Sequence, residues 1–146
     1  MWNGRGRVQY LCLIYQRDDI LRSLEPPERD ELICASLAYI DELRESGHVV
    51  AANALEPVDA AMSLRVRGNS AYITDGPYAE TNEHVGGYLL IEARDLNDAI
   101  RIATRFPLGR LGGIEVRPVA NQIQQMAAAP MNALSASFRA SPTVER

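Results

Sequence analysis

The sequence contains no lysine; all 15 of its basic residues are arginine. A mechanism that builds a Schiff base on a lysine amine is therefore excluded. Only two cysteines are present, Cys12 and Cys34, and each lies in an apolar stretch. Both are expected as small buried hydrophobes rather than as a disulfide or a reactive thiol. That usage suits a reducing compartment, and the expected location is cytoplasmic. Long hydrophobic runs are missing too. The longest near the N-terminus, Tyr10 to Tyr15, stops at Gln16-Arg17-Asp18-Asp19. It is too short to span a membrane and has no small-residue cleavage site after it. An excess of positive charge is also lacking: the net charge is -4 and the pI is near 5.2. Nucleic-acid binders instead carry a clustered basic footprint. Neither a membrane nor a nucleic acid is expected as a partner.

Histidine is scarce as well. His48 and His84 are the two side chains that titrate near neutral pH, and they stand 36 positions apart with no metal-ligand spacing. No metal and no cofactor are expected. There is no G-x-G-x-x-G, P-loop, G-x-S-x-G, C-x-x-C or H-E-x-x-H pattern.

What is present reads as one domain of ordinary size and an ordinary apolar fraction of 47%. Residues 1–7 read as a flexible arm and 8–119 as the domain. Residues 120–146 read as a tail, partly helical near Gln122 to Ala129 and otherwise small and polar. Val8 to Tyr15 is apolar throughout and too short for a stable helix, so it is expected as a central strand. Gln16 to Pro27 reads as a polar connection. Pro26-Pro27 opens a helix with acidic residues in its first turn. Ile33, Ser36, Leu37, Ile40 and Leu43 follow at helical spacing as its inward stripe, and Gly47 ends it.

His48 to Leu55 is a second strand. In Ala61 to Arg67, Met62, Leu64 and Val66 are expected inward and Ser63, Arg65 and Arg67 outward. Gly68-Asn69 turns the chain into Ser70 to Thr74, with Ala71 and Ile73 inward. Gly87 to Ala93 is another strand. Asp95 caps a second long helix, whose buried stripe is Leu96, Ala99, Ile100 and Ala103; Phe106-Pro107 ends it. Gly113 to Val119 is the last strand. Helices and hairpins in this order predict an α+β fold with a mainly antiparallel sheet and helices on one face. The pattern is a ferredoxin-like split βαβ arrangement with an inserted β-hairpin.

The stretch Thr74-Asp75-Gly76-Pro77-Tyr78-Ala79-Glu80-Thr81, followed by Gly86-Gly87-Tyr88-Leu89-Leu90-Ile91, resembles the signature of the DGPF-type branch of the YCII-related domains, with Tyr78 in place of the phenylalanine. Similarity extends over Val8 to Val119, through Leu64-Arg65-Val66-Arg67, Asp95-Leu96 with Ala99, and Glu115-Val116-Arg117-Pro118-Val119. The resemblance implies a ferredoxin-like fold and dimers made through the sheet. It also implies a regulatory association with extracytoplasmic-function sigma factors. A His-Asp dyad is proposed in the wider group. Offset from Gly47 places it near Ser36 and Glu45, so no dyad is carried over.

The candidate site residues lie in and after this signature. Asp75, Glu83 and His84 are the candidate proton-transfer groups, since a desolvated carboxylate or an imidazole can act as a base near neutral pH. Asp75, Tyr78, Glu80 and Tyr88 are the candidate ligand contacts, the tyrosines offering a ring and a hydroxyl. Without a nucleophile or metal set, the sequence points to a small-ligand or partner-binding regulatory module. The alternative is a cofactor-free isomerase or lyase acting on a small lactone-like acid. The both-sided apolar pattern of Val8 to Tyr15 predicts a homodimer packed through the open sheet face, with Tyr10, Tyr15 or Tyr88 at or near the interface.

Overall fold

A computed structural model describes residues 6–120 and 143–145. The expected helical stretch at Gln122 to Ala129 lies outside them. The chain divides into two compact units: Met1–Leu55 with Thr81–Val119, and Glu56–Glu80 with Ala120–Arg146.

The first unit holds β1 (Val8–Arg17), α1 (Asp18–Ser23), α2 (Pro26–Glu45), β2 (Val49–Ala54), β5 (Glu83–Ala93), α3 (Leu96–Thr104) and β6 (Gly112–Pro118). Its four strands run in the order β2-β5-β1-β6, and every neighbouring pair is antiparallel. The connections through α2 and through α3 each join parallel strands with one strand between them, so two split βαβ units interlock. The ferredoxin-like α+β expectation holds.

Side chains alternate along β1 and β5. Tyr10, Cys12 and Ile14, with Leu89, Ile91 and Ala93, face the helices and form one core with Tyr39, Leu43, Ala99, Ile102 and Phe106. The other face carries Leu11, Leu13, Tyr15, Tyr88 and Leu90, all partly exposed. Tyr10 is therefore a core residue on the helix side and leaves the set expected at a dimer interface.

Local chemistry sets the helix ends. Gly47 has φ +80°, the His48 N–H donates to Leu43 O at 2.8 Å and the Gly47 N–H to Arg44 O at 3.1 Å, closing α2 in a Schellman motif. His48 then links α2 to β5: its Nδ1 lies 2.9 Å from Glu92 O, and the Glu92 N–H donates to His48 O. Asp95 caps α3 by accepting from the Asp98 N–H at 2.8 Å. The Tyr39 hydroxyl donates to Ile102 O at 2.7 Å and ties α2 to α3. Part of the expected polar connection after β1 is helical instead: α1 carries Asp18 and Asp19 in its first turn and Arg22 in its last, each suited to the helix dipole.

Burial corrects several expected faces. In α2 the residues turned fully to the core are Ser36, Tyr39 and Leu43, whereas Ile33 and Leu37 are exposed. In α3, Ala99 and Ala103 are buried, but Leu96 and Ile100 are exposed. In α3 the small Ala99 and Ala103 let the helix sit close to the sheet, so the larger Leu96 and Ile100 are left at the margin. Cys12 is fully buried, and burial pushes its thiol pKa up to about 11. Cys34, by contrast, is exposed on α2 and free, because its position falls off the buried stripe.

The second unit is built on β3 (Met62–Arg67) and β4 (Ser70–Asp75), an antiparallel hairpin, with β7 (Thr143–Glu145) parallel to β4. Gly68 takes φ +60° and no described non-glycine residue has positive φ, as a type II′ turn with glycine first requires. Ala71 is buried, and Ile73 partly so. Met62, Leu64 and Val66 share that face by register but are exposed, against expectation. Alternation correctly grouped them, but the face of so small a sheet is buried only where something covers it.

Candidate functional site

The first unit contains a hollow of about 390 Å³ between α2 and the β2–β5 side of the sheet. Its origin is a mismatch of side-chain size. On the helix-facing side of β2 stand Ala52 and Ala54, and on that of β5 stands Gly87. Over these small residues α2 presents Ile33, Leu37 and Ile40, which cannot reach down to fill the space. At Gly87 a side chain is opposed by neighbouring backbone, whereas at Gly86 it would meet only the movable end of the Gln16 side chain. A Cβ on Gly87 would lie 3.0 Å from the Asn53 carbonyl oxygen, and one on Gly86 would lie 2.3 Å from Gln16 Oε1. The Gln16 amide is thus laid across Gly86, in the irregular step where β1 and β5 shift register. Leu55 and Leu108 complete the apolar lining.

Few polar groups enter this space, which is the usual composition of a small-ligand site. Ser36, only 2% exposed, donates to Leu32 O at 2.8 Å and accepts from the Leu108 N–H at 3.1 Å. Its hydroxyl therefore serves the packing of α2 against the segment after α3, and nothing activates it as a nucleophile. Asp41 and Arg44 neutralise each other at 2.6 Å. Arg29 is half-buried, lines the hollow, and has no ion pair or side-chain hydrogen bond among the described residues. The balance of charge along the lining is one cation.

The residues singled out from the sequence divide between the units. Asp75, Tyr78 and Glu80 come together in the hairpin unit, around a separate hollow of about 310 Å³ that also involves Ser63, Arg65, Tyr72 and Thr74. The loop there is held by its backbone. Gly76 has φ +99°, its N–H donates to Ala61 O at 2.8 Å, and its carbonyl accepts from Ser63 Oγ at 2.8 Å. Tyr78 is exposed, with the Arg65 guanidinium 4.8 Å from its ring centroid. Asp75 and Glu80 are exposed, and neither makes an ion pair among the described residues.

Glu83 and His84 lie at the start of β5, opposite Arg17 and Gln16. Glu83 is exposed and His84 half-buried. Directly opposed residues share a face, so His84 neighbours Gln16 but does not itself line the 390 Å³ hollow. Tyr88 touches that hollow, yet it alternates with Leu89, which faces the helices. Its hydroxyl accepts from Asn53 Nδ2 at 2.8 Å on the opposite sheet face. Sequence reasoning missed Gln16 and Arg29. A signal existed: small residues at 51–54 facing Gly86-Gly87, beneath a helix that keeps Ile33 and Leu37. Among the described residues, no cluster of three or more histidine, cysteine, aspartate or glutamate side chains could hold a metal ion. No helix among them is long and apolar enough to cross a membrane.

An uncharacterized protein of Rhizobium meliloti (strain 1021) is 32% identical over 114 residues, which is 76% of this chain and 91% of that protein. The profile of the YCII-related domain matches residues 8–123, a span that takes in both sheets' main strands and the hollow beneath α2. The chain belongs to the YCII-related domain family.

Proposed function

We propose that this YCII-related protein is a small-molecule-binding module and that the hollow beneath α2 is its site. The observation that carries this reading is the paired retreat of β2 and β5 into alanine and glycine under an apolar helix face. The space is large enough for a small ligand and mainly apolar, with a few polar groups to orient it. A ligand that binds only the folded state raises the thermal midpoint. The test is a thermal-shift screen of small amphipathic compounds on the wild-type protein and on Leu37→Glu. Leu37 is 58% exposed, so glutamate there leaves the free protein within ~0.5 kcal/mol of wild type. Hits are expected to lose their shift in the variant. Hits that keep it in full would contradict the site.

The isomerase or lyase reading draws no specific support from the described geometry. Two of its three candidate groups, Asp75 and Glu83, are exposed. A regulatory role beside an extracytoplasmic-function sigma factor is the finer form of the binding reading and rests on the resemblance alone. Recovery of such a factor with tagged protein, lost when the ligand hollow is blocked, would support it.

A homodimer belongs to the same proposal. Leu11, Leu13, Tyr15 and Leu90 form a partly exposed apolar set on the face away from the helices. A second copy packed there would remove that set from water, with Tyr15 and Tyr88 in or beside the contact. Light scattering is expected to give twice the chain mass. A monomer at high concentration would sink the dimer.

A further inference from the structure

We propose that the ligand of the α2 hollow is a small carboxylic acid with an apolar body, and that Arg29 receives its carboxylate. This rests on the reading of the hollow as a binding site and adds the ligand's chemical class.

Arg29 and Arg44 both line the hollow, but Arg44 is held by Asp41 at 2.6 Å. Arg29 is half-buried, lines the hollow from the same face of α2 as Ile33 and Leu37, and has no carboxylate within ion-pair distance among the described residues. Arg7, Arg94, Arg101 and Arg105 are ion-paired on Glu92, Asp98 and Glu42, and of the described arginines without an ion pair (Arg22, Arg29, Arg65, Arg67 and Arg110) Arg29 is the one that lines this hollow. A guanidinium left without a partner beside an apolar cavity favours an anion, and its planar fork matches a carboxylate.

The rest of the lining selects against other anions. Most of it is aliphatic, contributed by Ile33, Leu37, Ile40 and Leu55. Inorganic phosphate or a nucleotide would need several more donors than one guanidinium and the Gln16 amide. An acid whose bulk is hydrocarbon meets both the single cation and the apolar wall. The volume of about 390 Å³ limits that body to the size of one ring or a medium-length chain.

The experiment uses full-length protein and two matched pairs of probes: 3-phenylpropanoate against 3-phenylpropanamide, and octanoate against octanamide. Binding is read from the Gly86 and Gly87 amide signals during titration. The acids are expected to bind roughly tenfold more tightly than their amides, the size of one charge-assisted contact. In Arg29→Gln that difference should vanish, and Arg29→Lys should restore part of it. Amides that bind as tightly as acids, or a preference unchanged in Arg29→Gln, would overturn the carboxylate assignment while leaving the hollow as the site. No binding of any of the four probes at millimolar concentration would overturn both.

Discussion

Asp98 is the buried carboxylate of the described fold, only 4% exposed, at the first turn of α3. Burial pushes its pKa up, but hydrogen bonds from Arg101 at 2.7 Å and from the Arg94 backbone at 3.1 Å outweigh that. The net effect holds it well below the usual carboxylate range. The sign follows from linkage. The unfolded chain takes up this proton near pH 4, while the folded state still refuses it, so stability falls as pH drops below that point. Above it the contribution is fully present. Asp98→Asn is expected to cost about 1–3 kcal/mol at pH 7, because it removes charge-assisted bonds from exposed arginines. The cost should shrink at pH 3, where the wild type has lost part of the same contribution. Urea midpoints for both proteins at the two pH values check this; an equal gap at both would refute it.

Residues of this kind were legible wherever their partners are near in sequence. The Asp95 cap and the helix-ending Gly47 both follow from one or two helical turns. Gln16 and Ser36 were not, since their roles depend on Gly86 and Leu108, far along the chain.

At the scale of elements, periodicity located the strands and helices but overstated what they bury. A stripe at helical spacing says which side chains share a face. It does not say how close the facing sheet will come. Tyr39 and Leu43 of α2 are buried in one core cluster with Cys12 and Ile14 of β1. Over β2 the facing side chains are alanines, so Ile33 and Leu37 border a space instead. The same reasoning explains Leu96 and Ile100 of α3, which flank a shallower hollow of about 520 Å³ with Ile114 and Val116 of β6. In the hairpin, Met62, Leu64 and Val66 alternate cleanly and remain exposed. The signature loop drew attention through its resemblance to the family signature, and the structure accounts for its glycine by φ +99°, a backbone hydrogen bond to Ala61 O and one accepted from Ser63 Oγ. A residue demanded by a turn is a weak pointer to a ligand.

For the whole molecule, the decisive question is which hollow a ligand enters. The family signature directs attention to Asp75, Tyr78 and Glu80, while the geometry of the first unit directs it to the space beneath α2. Depth of apolar lining favours the latter: an exposed, polar loop hollow offers a ligand little area to remove from water. The most direct measurement is a backbone amide map of the ¹⁵N-labelled full-length protein during titration with hits from an unbiased fragment library. The account predicts that shifts gather at Ala54, Leu55, Gly86 and Gly87 and along Arg29 to Leu37. Shifts confined to Asp75 through Glu80, with Gly86 and Gly87 unmoved, would contradict it.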